Sequence, residues 1–355
     1  MARIPPPVAA IRTAVRRGLA DLPADALVLV ACSGGADSLA LAAAAQFLSQ
    51  SALGSRSGAG GRPDAVGPSG TGGRSGAGRR VGLVTVDHGL QEGSDRRARS
   101  VAAWARDAGF DPVRIETVSV GGLPGGPEAA ARTARYAALD AAAAELGAAA
   151  VLLGHTRDDQ AETVLLALAR GAGPRGLSGM PARRGVFRRP LLDVARTDTR
   201  KACAALGLAP WEDPHNSDPA YARSRVRGSA LPALVDALGP AVLGNLARSA
   251  VLVAADNEAL DAIAETALES ARAGAEAGLS VPVLAGMMPA VRSRVLHRWA
   301  RELGAPGGAL AYRHVVALDA LVSEWHGQGA VFLPDRIVVG RVSDRLVRVV
   351  PAHIK

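Results

Sequence analysis

ALVLVACSGGADSLALAAA, from Ala26 to Ala44, decides how the first half of the chain is read. Ala26–Ala31 is a short run of β-forming apolar residues, and Ser38–Gln50 carries the Ala/Leu pattern of a helix. Ser33, Gly34, Gly35, Ala36, Asp37 and Ser38 stand where the two meet. Glycines at such a turn let the backbone approach a ligand closely, the helix start presents unpaired N–H groups, and the two serine hydroxyls add donors. These six residues are therefore expected to form an anion cradle suited to a phosphate chain. No GxxxxGK[ST] pattern is present and no lysine lies nearby, since the only lysines are Lys201 and Lys355. Asp37 would repel phosphate unless a divalent cation bridges the two, which makes magnesium pyrophosphate the expected occupant and Asp37 a metal ligand. The plainer alternative is a capped turn with Asp37 as a helix-start carboxylate.

Working outward, strand-like and helix-like runs alternate. Val81–Val86, Val113–Val118 and Ala149–Leu153 read as strands, and Asp95–Ala108, Glu128–Leu146 and Asp158–Arg170 as helices. This alternation, with nearly all-apolar strands, predicts an α/β fold with a doubly wound, mainly parallel sheet covered on both faces and its ligand beyond the carboxyl ends of the strands. Residues 51–80 are Gly/Ser/Arg low complexity, expected to be a flexible insertion. After Pro190 a connecting stretch leads to Ser229–Leu238, a long helix from about Pro240 to Ala273, helices at Pro289–Leu303 and Tyr312–His326, and terminal β-runs. The expected division is a nucleotide-binding domain over 1–225 and a smaller, mainly helical domain with a short β tail over 226–355.

A chain of 355 residues can hold about two domains. A hydrophobic fraction of 48% with 21% charged residues suits a soluble, globular chain. The net charge of +8 favours an anionic partner such as nucleic acid, discounted because nearly all of it is arginine in an Ala/Gly-rich chain. Cys32 and Cys203 make neither a disulfide framework nor a CxxC pair, so a reducing, cytoplasmic setting is expected. The N-terminus lacks the apolar core of a signal peptide, and Gly34, Gly35 and Asp37 break the longest apolar stretch, so neither export nor membrane anchoring is expected.

GHTRDDQAET, Gly154–Thr163, follows the fourth strand, where His155, Asp159 and Glu162, with Asp158 beside them, would line one helical face near the sheet's carboxyl edge. Such a cluster can hold a hard cation, orient a phosphate or take a proton; a solvated helix start is the bland reading. VDHGL, Val86–Leu90, ends the second strand and offers Asp87 and His88 to adenine or ribose, or only a turn. Arg132 and Arg135 are i, i+3 on one helical face, a phosphate-binding pair or an exposed basic face. Arg223, Arg225 and Arg227 alternate; they point one way in an extended segment and spread in a helix, and either arrangement can grip an RNA backbone or the triphosphate, a solvated linker charge run being the plainer reading.

SGGADS resembles the pyrophosphate loop of the PP-loop ATP pyrophosphatases. Taken in order with VDHGL, the ExxARxxRY pattern at Glu128–Tyr136, GHTRDDQAETVLLALARGAGPRGLSGM, RPLLDVAR and WEDPHNSDPAYARSRVR, the chain resembles the tRNA(Ile)-lysidine synthase family from about Ala26 to Leu234. Ser224 departs from the family's usual Asn in an RNRIR-type segment. Many members carry a further C-terminal domain, whereas this chain ends at Lys355; if that domain helps hold the tRNA acceptor end, this chain is expected to do without it. The resemblance implies that ATP adenylates the C2 oxygen of the wobble cytidine in the CAU anticodon of tRNA(Ile), and that free L-lysine then displaces AMP. It implies ATP and Mg2+ as cofactors. Ser33, Gly34, Gly35, Ala36, Asp37 and Ser38, with His88 and His155, would bind ATP; Asp37 and Asp158 the metal. Asp37, Arg132, Asp158, Asp159 and Glu162 would act in catalysis, and Arg223, Arg225 and Arg227 would hold RNA. A homodimer is among the assemblies this reading admits. The rivals are a PP-loop tRNA thiolation enzyme, for which no cysteine pair is visible, and a non-catalytic RNA-binding protein, which would be expected to have lost some of the loop carboxylates.

Overall fold

A computed structural model describes residues 4–54, 79–89, 93–119, 126–213, 218, 220–272 and 278–349. Most of the expected insertion over 51–80, Leu90 and residues 214–217 lie outside the described residues. The chain falls into two compact units, Met1–Val251 and Leu252–Lys355.

The first unit contains, in order, α1 (Pro6–Gly18), β1 (Leu27–Ala31), α2 (Ala36–Gly54), β2 (Arg80–Asp87), α3 (Ser94–Asp107), β3 (Val113–Thr117), α4 (Gly126–Leu146) and β4 (Ala150–Leu153). There follow α5 (Arg157–Ala169), α6 (Pro174–Leu177), β5 (Arg183–Arg184), β6 (Phe187–Arg188), α7 (Arg196–Ala205), α8 (Ala222–Arg225), a π-helical turn (Val226–Ala230), α9 (Leu231–Leu238) and the start of α10 (Ala241–Arg272). The sheet runs β3-β2-β1-β4-β6-β5, all parallel except the β5–β6 hairpin, as the alternation predicted. Val30 pairs with Leu83 of β2 on one side and Leu152 of β4 on the other. The chain therefore leaves β1 in one direction and returns to β4 in the opposite one, and the loops beyond these two strands part to leave a crevice, the usual ligand position of such sheets.

Side chains alternate across the sheet. Val28 and Val30 join a core with Leu41, Leu83 and Leu152, whereas Leu27 and Leu29 join another with Leu139 of α4, Val151 and Leu153. Helix α1, which the composition of the N-terminus did not suggest, buries Val8, Ile11 and Val15 at i, i+3 and i+7 in the first of these cores. The β5–β6 hairpin and α7 were also not predicted.

The second unit carries β7 (Leu279–Ser280), α11 (Val281–Ala285), α12 (Pro289–Glu302), α13 (Tyr312–Ser323), β8 (Val331–Leu333), β9 (Ile337–Val342) and β10 (Arg345–Arg348). Its antiparallel sheet runs β7-β10-β9-β8 and shares a core of Leu268, Leu284, Val295, Leu296, Leu318 and Val339 with the helices. Among the described residues no single helix is long and apolar enough to cross a membrane.

Candidate active site

Two turns meet at the crevice. After β1, Gly34 adopts φ +86, a left-handed conformation in which a side chain would be strained, and a Cβ there would also lie 3.0 Å from Val101 Cγ2. Helix α2 begins at Ala36, two residues earlier than the apolar pattern suggested, so Asp37 stands in its first turn rather than in the loop. The Ser38 hydroxyl donates to the Gly35 carbonyl at 2.9 Å and accepts from the Ser33 N–H at 3.3 Å, tying the cradle across its own mouth. Behind it the Trp211 N–H donates to the Gly34 carbonyl at 2.9 Å. After β4, Gly154 passes so close that a Cβ would lie 3.1 Å from the Asp37 carbonyl and Ser38 Cα. The absence of a side chain at 154 thus lets the second turn press against the first.

Helix α5 starts at Arg157 with Thr156 before it, which leaves His155 in the strand exit instead of on the expected helical face. Asp159 is divided between two tasks. Its Oδ2 accepts from the Thr156 N–H at 2.7 Å and the Thr156 hydroxyl at 2.8 Å, closing the helix start, while Oδ1 faces Arg196 Nη2 at 2.6 Å. Asp158 likewise caps a second helix, its Oδ2 accepting the Arg196 N–H of α7 at 2.8 Å.

Arg196 organises the carboxylates. It lies 2.6 Å from Asp159, 3.0 Å from Glu162 and 3.7 Å from Asp37, and the Thr199 hydroxyl one turn later is hydrogen-bonded to Asp37 Oδ1. Arg227, from the π-helical turn, donates Nε to Glu162 Oε1 at 2.8 Å and Nη2 to Oε2 at 3.0 Å, a two-point grip on a carboxylate side chain only 1% exposed. Arg227 thereby leaves the RNA-facing trio expected with Arg223 and Arg225. The segment is helical, so the three arginines spread, and Arg225 Nη1 donates to the Ala220 carbonyl at 2.9 Å.

Three carboxylates crowd two guanidiniums here, and burial and the nearest partners push each group its own way. Burial, resisted by the Thr199 hydrogen bond and reinforced by Asp159, pushes the Asp37 carboxyl up to about 6. For Asp159 burial works in the same direction, but Arg196 and the Thr156 N–H outweigh it and hold the carboxyl below its usual range. Burial opposes the charge on Arg196 too, yet Asp159, Glu162 and Asp37 raise the guanidinium above its ordinary value.

Asp37 is the least satisfied of the three and stands beside the phosphate cradle with its side chain 25% exposed. Magnesium ordinarily takes one or two carboxylates together with substrate phosphates, so this donor fits it. Asp158 is committed to the start of α7 instead, and among the described residues no group of three or more His, Cys, Asp or Glu side chains could hold a metal alone. The imidazoles expected to meet the nucleotide both carry a buried Nδ1 without a hydrogen-bond partner. Burial followed by Arg135 lowers His88, and burial lowers His155 to about 3, so both rings are neutral. Arg132, on α4, donates to the Tyr136 hydroxyl at 3.4 Å.

Arg196 and Thr199 were missed as individual residues, although RPLLDVAR was singled out. Their signal was an arginine and a threonine i, i+3 immediately after a turn, which only the packing of α7 against α2 makes meaningful.

The PP-loop domain pattern matches residues 10–234, and the TilS substrate binding domain pattern matches residues 279–347. The tRNA(Ile)-lysidine synthase of Salinispora arenicola is 61% identical over 355 residues, covering 99% of each chain. That of Thermobifida fusca is 54% identical over 330 residues, covering 93% of this chain and 94% of the other. Among solved structures, the U34-tRNA thiolase NcsA from Methanococcus maripaludis superposes with a TM-score of 0.51 at 15% identity over 69% of this chain and 78% of that one. At that identity the likeness concerns the fold alone.

Proposed function

The chain belongs to the tRNA(Ile)-lysidine synthase family, and from that premise we propose that it ligates L-lysine to C2 of the wobble cytidine in the CAU anticodon of tRNA(Ile), consuming ATP and releasing AMP and pyrophosphate. The product would read AUA in place of AUG. The observation that carries the chemistry is the meeting of a phosphate cradle and a carboxylate cluster in one crevice, at the point where the strand order reverses.

In this reading Ser33, Gly34, Gly35, Ala36 and Ser38 bind the leaving pyrophosphate, with backbone N–H groups and hydroxyls as donors. Asp37 holds Mg2+, which supplies charge neutralisation for the departing phosphates. His88 and His155 present neutral ring nitrogens to the nucleotide. Arg132 faces the α-phosphate as the cytidine oxygen attacks. Asp159 and Glu162 receive the incoming amine; Arg196 and Arg227 hold both carboxylates in place, so that the amine meets a preorganised pair. Asp158 serves by placing α7, and with it Arg196. Recognition of the tRNA belongs to the segment over residues 279–347, with Arg223 and Arg225 on the RNA backbone. Free lysine as the donor and a cytoplasmic setting are parts of the same proposal.

The thiolation rival is disfavoured by the thiols themselves. Burial raises Cys32 and, with Asp37 nearby, takes Cys203 up to about 11, so neither is a ready thiolate. Incubation with ATP, labelled lysine and two CAU-anticodon tRNAs, of isoleucine and methionine type, tests the proposal. Label in the isoleucine tRNA alone is expected; sulfur transfer without lysine incorporation would refute it.

A further inference from the structure

Beside His155 lies a cationic group that adenylation does not account for. Arg189, 3% exposed, donates Nη1 to the Pro181 carbonyl at 2.8 Å and Nη2 to the Tyr136 hydroxyl at 3.0 Å. The Arg132 guanidinium reaches the same hydroxyl at 3.4 Å, and Arg135 stands over the Tyr136 ring with its carbon 5.7 Å from the centroid. Tyr136 is held from behind by Phe187, edge to face at 5.0 Å. A guanidinium has no acceptor to offer. The phenolic oxygen is thus occupied by two donors, and its own proton meets no acceptor among the described residues. Arg135 and Arg189 likewise make no ion pair with a described carboxylate.

The geometry points to Tyr136, Arg135 and Arg189 as the seat of the α-carboxylate of the amino-acid substrate. This assignment rests on the lysine-ligating reading above. Lysine arrives as a zwitterion with a carboxylate as well as ammonium groups, and the crevice offers both complements. Arg188 of β6 pairs with Leu152 of β4, which puts Arg189 at the end of the strand that leads into His155, and the Pro181 carbonyl that Arg189 grips follows Met180, itself bonded twice to Gln160 beside Asp159. The pyrophosphate already has its cradle after β1. An RNA backbone would call for exposed arginines, whereas Arg135 is half-buried and Arg189 buried. A phenol flanked by planar guanidiniums matches a carboxylate in size and donor geometry.

The test compares L-lysine with cadaverine, which keeps the amines and lacks the carboxylate, in steady-state ligation and competition assays on the full chain with ATP and tRNA(Ile). Arg135→Gln and Tyr136→Phe are each expected to raise the lysine KM about 10- to 100-fold, while the inhibition constant of cadaverine and the KM for ATP stay within about threefold. A loss shared equally by lysine and cadaverine would overturn the assignment, because a damaged fold or a misplaced amine site weakens both. So would a raised KM for ATP or tRNA with lysine unaffected, which would make the group a phosphate seat. Absence of lysine transfer by the unaltered protein would instead refute the ligase reading itself, so the two failures are told apart.

Discussion

Arg196→Met removes the one side chain that touches all three carboxylates of the crevice. Its contacts are 2.6 Å to Asp159, 3.0 Å to Glu162 and 3.7 Å to Asp37. Removing one partner from a buried ion pair costs about 3–5 kcal/mol, because the remaining charge stays desolvated. Arg227 still grips Glu162 through two bonds of 2.8 and 3.0 Å, which sets the expected loss at the lower end, about 3 kcal/mol. Against a typical total of about 5–15 kcal/mol this is large, and urea unfolding at pH 7.5 measures it directly. The origin of the loss has its own signature. Asp159 is held below its usual range in the fold, so its stabilisation is complete above its unfolded pKa, about 3.9, and disappears as pH falls through the lower folded value. The gap between the unaltered chain and Arg196→Met should therefore narrow as pH drops below about 4. Adding Asp159→Asn to Arg196→Met removes the charge that loses its 2.6 Å partner and keeps only Arg227 at 3.4 Å, and should recover about 1 kcal/mol or more. A loss below about 1 kcal/mol at pH 7.5, or strict additivity of the two substitutions, would refute the role given to Arg196.

Asp37→Asn should abolish tRNA-dependent AMP formation while tRNA affinity is retained, read by release of labelled pyrophosphate and by filter binding. The same substitution should stabilise the ligand-free chain above pH 6 by up to about 3 kcal/mol, since the Asp37 carboxyl, raised to about 6, contributes stability below its unfolded pKa that is lost as pH rises; added Mg2+ and ATP should reverse the order, and equal stability at pH 8 without them would contradict the burial argument. His155, lowered to about 3, binds a proton more readily in the unfolded chain, so stability should fall as pH drops from about 6.5 toward 3, and its imidazole should show no NMR titration between about pH 5 and 8. Gly154→Ala forces a Cβ to 3.1 Å from the α2 backbone, which should cost about 1–3 kcal/mol and raise the KM for ATP; an unchanged KM would show that the two turns need not touch.

The α/β class and the two functional turns were legible because strand periodicity and the glycine-carboxylate break at Ser33–Asp37 are local signals. Asp37, His155, Asp159 and Glu162 were candidates on those turns, His88 after β2 and Arg132 on α4, for the same reason. What each residue touches was not local. Asp158 and Asp159 look alike in sequence, but only the arrival of α7 makes the first a cap and gives the second an arginine partner. Arg227 looked like part of a basic comb with Arg223 and Arg225, and the helical path turns it inward instead. Helix α1 shows its apolar face only in Val8, Ile11 and Val15, between prolines at its start and arginines at its end that read locally as a polar, helix-breaking leader. The β5–β6 hairpin strands of two residues each are too short to show any periodicity.

A π-helical turn amounts to one residue more than an α-helix needs over the same rise. From Val226 to Ala230 that surplus sits directly between Arg225 and Leu231, in a helical path that runs from Ala222 to Leu238. Losing a single residue there would return the path to plain α-helix with its two ends in place, and would re-aim the side chains within the turn, Arg227 among them. Chain length in this stretch is thus under tighter constraint than residue identity. A design that idealised this helix would disconnect Arg227 from Glu162 without changing either residue.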